Sequence, residues 1–359
     1  MPTGKILFLD GKWIIHNRGL RRVFHKAGKH PGNPLITPTE PWEERRVYAF
    51  GSLIPTDDEG YRLYYQTCSN NLSGADTALV CVAESDDLVK WHKPSLGVLP
   101  FQEREDTNIV LKCCGPKPLY TPSIILDEED PDPSRRWKMI FWDAAVPGGS
   151  RGGCAAFSRD GLHWRRQGNR PLFTEPNDVL VAAKDPAGGY VCFQTLLLND
   201  PSQDYPRDNL RGWRRVIGLR TSTDFLNWSK PEVILRPDGG DPPDMQFYGL
   251  AAWPDGGTWL GLLWTYHAES QTSDVQLTWS HDGKEWNRPE TREPLIGLGS
   301  LGEFDSHMIF TASAPVMHEG NLHIIYGGFD GPHDSQARAA AIGLATMRAE
   351  KEILAKDAN

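Results

Sequence analysis

Along most of the chain, apolar residues come in short runs, some alternating with polar positions and some apolar throughout, each bounded by Gly, Pro, Asn, Asp or Ser. Segments 46–54, 61–66, 77–83, 123–126, 137–142, 153–157, 216–221, 248–253, 259–264 and 275–279 all have this character. Runs of that length with β-branched and aromatic content predict strands, and long helices are hard to find. Several runs pair across turns. Segments 46–54 and 61–66 flank 55–60, segments 123–126 and 137–142 flank 127–134, and segments 248–253 and 259–264 flank the Pro-Asp-Gly-Gly turn 254–257. Such turn residues between apolar runs predict hairpins.

A second pattern overlays the first. Ser-x-Asp-x-x-x-Trp stands at Ser85, Asp87 and Trp91, at Ser158, Asp160 and Trp164, at Ser222, Asp224 and Trp228, and at Ser280, Asp282 and Trp286. Recurrence at roughly 60–70-residue spacing marks an array of similar supersecondary units. Each copy follows an apolar segment, and Pro94, Pro231 and Pro289 follow three of the four tryptophans, where a strand edge or turn is expected. Asp and Ser can accept hydrogen bonds from turn N–H groups, Gly161 and Gly283 permit positive φ at the tip, and Trp can cover the turn from the returning strand. The motif therefore reads as a hairpin fastener, since a catalytic residue is rarely needed four times.

A plain hairpin plus a fastened one makes four strands, the blade of a β-propeller. A fifth unit runs through 308–316, 321–326 and 339–347 without the motif. A strand from 6–9 or 13–15 is expected to complete it, closing the ring between the chain ends and leaving no exposed edge. The expected fold is all-β: a single five-bladed β-propeller of four-stranded antiparallel blades over 1–359, with residues 1–40 helping ring closure.

Composition fits this picture. The 35 Gly, 28 Pro and 13 Trp among 359 residues suit a turn-rich β protein. A net charge of −9, with no Lys/Arg stripe, argues against nucleic acid as a partner. No apolar run approaches the ~18–20 residues of a membrane span, and the apolar stretch near the start is too short for a signal-peptide core. Six cysteines without a C-x-x-C pair read as free thiols in a reducing cytoplasm, although a chain relieved of its leader would look the same.

The sequence resembles the five-bladed β-propeller glycoside hydrolases, the broad group containing invertases, levansucrases and arabinanases. The likeness runs from 33–36 and the Pro-Trp-Glu-Glu stretch 41–44, through the Ser-x-Asp turns, to Phe304-Asp-Ser-His-Met at 304–308, and is greatest toward invertase-like members. Two departures stand out. The invertase Trp-Met-Asn-Asp-Pro-Asn-Gly segment and an Arg-Asp-Pro triplet are both absent, and the four turns are one residue shorter than the sialidase Asp-box.

The resemblance implies that the first strands of the blades converge on a central funnel with carboxylates at their entrances. Glycoside hydrolysis needs one carboxyl group as acid and another as base or nucleophile. The candidates are Glu43, Asp178, Asp244 and Asp305, with Asp178 as base or nucleophile and Glu43 as acid, roles the sequence does not fix. Trp42 is the candidate platform for a sugar ring. Arg46, Asp106, Gln246, Tyr248 and His307 are candidate substrate contacts, His307 matching a histidine that arabinanase-like relatives place near the axis, often beside an ion. No catalytic metal or cofactor is called for, and a structural ion near the axis stays open. The expected activity is hydrolysis of a furanoside, fructosyl or arabinosyl, in a small carbohydrate. The alternatives are a phosphate-dependent phosphorylase, which would need an Arg/His cluster such as Arg45, Arg46, Arg220 and His307, and a non-catalytic carbohydrate-binding propeller.

Overall fold

The alternating runs become strands that lie in five consecutive antiparallel units, seen in a computed structural model that describes Leu9 and residues 24–348 apart from 57, 70, 116 and 176. The first strand, β1 (Gly28–Lys29), belongs to the last unit. Unit I comprises β2 (Val47–Tyr48) and β3 (Leu53–Pro55), which together form an interrupted first strand, then β4 (Tyr61–Cys68), β5 (Ala78–Ser85) and β6 (Ile109–Lys112). Unit II is β7 (Tyr120–Leu126), β8 (Trp137–Ala144), β9 (Arg151–Ser158) and β10 (Arg165–Arg166). Unit III is β11 (Leu180–Lys184), β12 (Tyr190–Asn199), β13 (Trp213–Ser222) and β14 (Glu232–Leu235). Unit IV is β15 (Met245–Asp255), β16 (Thr258–His267), β17 (Thr272–Ser280) and β18 (Trp286–Asn287). Unit V has an interrupted first strand, β19 (Met308–Thr311) and β20 (Val316–His318), then β21 (Asn321–Phe329) and β22 (Ala340–Arg348), with β1 outermost.

The strands are apolar on both faces because each unit is covered on both faces. On β5, Leu79, Cys81 and Ala83 join the cluster shared with unit V, whereas Ala78, Val80 and Val82 join the one shared with unit II. Further clusters lie between units II and III, III and IV, and IV and V. Five interfaces for five units close the ring: a five-bladed β-propeller. At such interfaces, cutting a buried Leu to Ala costs about 2–5 kcal/mol.

The four Ser-x-Asp-x-x-x-Trp turns occupy equivalent places between the third and fourth strands of units I to IV. In each, the Asp carboxylate accepts the N–H groups two and three residues on; for Asp160 these are Leu162 at 2.8 Å and His163 at 2.9 Å. Ser Oγ meets the carboxylate, and the indole N–H donates to the carbonyl of the residue after Asp, as from Trp164 to Gly161 at 2.9 Å. That residue has positive φ in all four turns, at Gly161 and Gly283 and equally at Leu88 and Phe225. Leu88 and Phe225 are fully buried, so packing there offsets the cost of the left-handed backbone. The turns also lock onto the preceding unit: Tyr64 and Arg62 of unit I donate to the Gly161 and Asp160 carbonyls, and Arg135 of unit II donates to the Asp224 carbonyl.

Ring closure lies later in the chain than the sequence suggests. The stretches 6–9 and 13–15 fall outside the described residues, Leu9 excepted; among the described residues the closing strand is β1, paired with β22. Backbone bonds continue the seam through His30, Leu35 and Ile36 to Leu344 and Ile342. The Asn33 side chain bonds both the N–H and the carbonyl of Leu344. At the axis the first strands present small residues, Ser52, Ser123, Ala182, Ala252 and Ser313. The Ser313 hydroxyl lies 2.9 Å from that of Ser52 and 3.1 Å from that of Ser123, all three buried. This hydroxyl knot separates two axial cavities, of about 410 Å³ and about 660 Å³, each lined by all five units.

Candidate functional site

The smaller cavity lies at the entrances of the first strands. Register places it opposite the Ser-Asp-Trp turns: Val47 pairs with Thr67 at one end of β4, whereas Ser85, where a turn begins, pairs with Tyr61 at the other. Its walls are aromatic: Tyr48 and Phe50 from unit I, Tyr120 from II, Tyr248 from IV, and Phe310 and Phe329 from V. Such a lining with a few convergent polar groups suits a small polar organic ligand.

Asp178, just ahead of β11, lines this cavity. Removal from water raises its pKa above the usual carboxylate value, opposed in part by its own backbone N–H and by Arg151 and Arg215. It forms no salt bridge with any described residue; its backbone carbonyl accepts the Thr121 hydroxyl at 2.5 Å. A carboxyl group held toward its protonated form is suited to donating a proton.

Positive charge surrounds it. Arg46 donates to the carbonyls of Arg338, at 3.1 Å, and Gln336. Arg338 donates to the carbonyls of His333, Ser335 and Pro332, while its Nε is buried without a partner. His333 Nε2 lies 2.9 Å from the Tyr248 hydroxyl. Burial, then Arg215 and Arg338, push the His333 pKa down to about 3, so the imidazole is neutral near pH 7. The Tyr248 phenol is raised to about 12, chiefly by burial.

Behind this wall lies a buried polar layer. Arg215 forms a two-pronged pair with Asp208 at 3.0 Å in both arms and donates to Asn209 Oδ1 at 2.8 Å. Its guanidinium sits 5.3 Å from the Tyr248 ring centre and 5.0 Å from that of Tyr266. Gln246 accepts from Arg215 and donates to Gln203 and Asp208, so it supports Arg215 and does not reach the cavity.

Of the residues singled out in the sequence, Arg46, Asp178 and Tyr248 line one cavity. The others lie elsewhere. Glu43 is buried and saturated, accepting from the Thr39 and Glu40 N–H groups, from Tyr65 and from Lys93, and so it pins segment 39–43 and has no free oxygen for a substrate. Trp42 is buried against Phe101, with its N–H on Asn108, and offers no sugar platform. Asp106 is exposed and paired with Arg104. Asp244 accepts from the Glu269 N–H beside His267, at the hairpin of unit IV. Asp305 is buried in a 2.6 Å ion pair with Lys29 and a 2.8 Å bond from Tyr326, which fasten the closing seam. His307 contacts Ser306 and is absent from the described cavity lining. Of the four cationic or imidazole groups suggested for an anion cluster, Arg46 alone lines the cavity; Arg220 binds Glu175 and Gln194.

The cavity residues missed from sequence, Asn209, His333, Asp334 and Arg338, sit on two loops, 200–212 and 330–339. The available signal was a polar, charged loop between the second and third strands of a blade. Asp334 is the second carboxylate of the described lining; Arg207 pairs with it at 2.8 and 2.9 Å and holds its pKa below the usual range.

No family model and no curated protein matches the sequence. Solved structures do match in fold. A β-1,2-mannobiose phosphorylase from Listeria innocua is 13% identical, with 90% of this chain and 96% of that chain covered and a TM-score of 0.62. A thermostable family-43 glycoside hydrolase is 14% identical, covering 90% and 98%, at 0.57. An N-acetylgalactosamine deacetylase from F. plautii is 15% identical, covering 89% and 95%, at 0.62. One architecture thus carries different chemistries on sugars, and the fold alone does not choose among them.

Proposed function

We propose that the protein is a carbohydrate-active enzyme that cleaves a glycosidic bond in the smaller axial cavity, with Asp178 as general acid and an inorganic phosphate as the attacking group. The observation that carries this reading is the composition of the cavity: one carboxyl group held toward its acid form, facing aromatic walls and the Arg46 and Arg338 guanidinium groups. Paired-carboxylate hydrolysis asks for a second carboxylate free to act as base or nucleophile. Asp334, the other carboxylate in the described lining, is engaged by Arg207.

In this scheme a phosphate oxygen forms a bond to the anomeric carbon as the carbon–oxygen bond to the leaving sugar breaks. The Asp178 proton passes to that leaving oxygen, giving a glycosyl phosphate and a free sugar. Arg46 and Arg338 offset the charge of the phosphate, a preorganised electrostatic contribution. The apolar face of the sugar packs on the ring walls. Hydrolysis remains the second reading because Asp334 does line the cavity; release from Arg207 would free it as a base.

The test is a screen of manno-, arabino- and fructo-oligosaccharides and aryl glycosides, furanosides included, with and without phosphate. Glycosyl phosphate formed only with phosphate supports the first reading. Cleavage indifferent to phosphate favours hydrolysis, and binding without cleavage favours a lectin-like propeller.

A further inference from the structure

Unit IV joins its second and third strands by the short turn 268–271, whereas units III and V use the longer loops 200–212 and 330–339. All three lie at the end of the ring that holds the smaller cavity. The two long loops are each braced from within. In the first, Asp200 and Gly212 pair through their backbones, Gly212 donates to Gln203, and Asp208 is clamped by Arg215. In the second, Asp330 and Ala339 close the neck and Arg338 gathers the carbonyls of Pro332, His333 and Ser335. The second loop also rests on the unit IV turn, His333 N–H donating to the Gln271 carbonyl, and on unit I through Arg46 and Gln336.

Over the low rim of unit IV the two loops meet. Arg207 and Asp334 join them in a two-pronged ion pair, with Asn209 and His333 beneath in the cavity lining. Below the cavity, the axis is blocked by the Ser52, Ser123 and Ser313 hydroxyls.

We infer that this clasp, together with the blocked floor, makes the cavity accept only the end of a saccharide chain. A chain bound by an interior sugar needs two exits on opposite sides. The III–IV–V side is shut by the clasp, which leaves the side of units I and II for one departing chain. The inference rests on the carbohydrate reading above and narrows it to chain-end, sugar-by-sugar cleavage.

The test uses linear manno-, arabino- and fructo-oligosaccharides labelled at the reducing end with 2-aminobenzamide, and the same compounds O-methylated on the non-reducing terminal sugar. Binding is followed by saturation-transfer NMR and cleavage by chromatography, with phosphate present. The expected result is that an accepted chain shortens one sugar at a time and that methylation of the terminal sugar abolishes both binding and cleavage. Fragments of mixed length, or capped chains handled as well as uncapped ones, would overturn the chain-end inference and leave the carbohydrate reading standing. Failure of every saccharide to bind or react would overturn both. Arg207→Ala, which changes a residue outside the cavity lining, is expected to fold normally and to lose several-fold of the preference for uncapped chains. Unchanged preference in that variant and in Asp334→Asn would overturn the part given to the ion pair.

Discussion

Asp178 combines two properties that pull in opposite directions. Its carboxyl group is ready to give a proton because burial disfavours the anion, and the same burial makes the anion costly to the fold. A folded-state pKa raised above the unfolded value means that the native protein holds more protons between those two values, so stability there falls as pH rises. Asp178→Asn removes that cost, and it is expected to leave the melting temperature unchanged or higher at pH 7 while lowering turnover by about 10²–10⁴-fold, the usual worth of a general acid. Calorimetry and the rate on the best substrate of the screen decide it; a full-rate variant would remove Asp178 from the chemistry. This residue was legible because a carboxylate entering an apolar strand is conspicuous. Glu43 was misleading for a reason no local pattern shows: Tyr65 and Lys93, distant in sequence, arrive to saturate it. Likewise, the neutral state of His333 comes from burial and from Arg215 on another blade.

The Ser-x-Asp-x-x-x-Trp turns were the most legible elements, since nearly every bond in them spans at most three residues. The second role of the turn, gripping the preceding unit through Tyr64 and Arg135, was not legible, because it depends on which side chains the ring brings alongside. Asp160→Ala is expected to cost about 1–3 kcal/mol from lost N–H bonds, read as a shift in the denaturant midpoint, with turnover per folded molecule unchanged. Selective loss of turnover at full stability would contradict this role. All four turn aspartates have lowered pKa values, partial burial being outweighed at Asp160 by the His163 and Leu162 N–H groups. Their contribution is whole above the ordinary carboxylate pKa of ~3.9 and is lost as pH falls through the depressed values. Acid titration is therefore expected to destabilise the wild type below about pH 4 more steeply than Asp160→Ala. The loops over unit IV stayed illegible as a pair, since nothing in two polar stretches far apart in sequence says that they meet.

At the scale of the whole molecule, the ring depends on its seam. Five repeats were readable from the sequence, but β1 is only two residues long, too short for any periodicity, and its hold comes from Asn33 and from the Lys29–Asp305 pair instead. Lys29→Met leaves Asp305 buried with a single strong donor, Tyr326. The expected loss is about 2–3 kcal/mol, less than the ~3–5 for a wholly buried pair because Lys29 is partly exposed. The double variant Lys29→Met, Asp305→Asn should recover part of it, measured by urea unfolding of both proteins; a double variant weaker than the sum of its parts would refute the assignment. The serine knot at the axis has its own consequence. A chamber with one doorway imposes a queue: the fragment nearest the door leaves first, and the fragment deepest in the chamber leaves last. The last to leave re-enters an empty enzyme, so it should act as a competitive inhibitor against the sugar chain, while the first to leave should not.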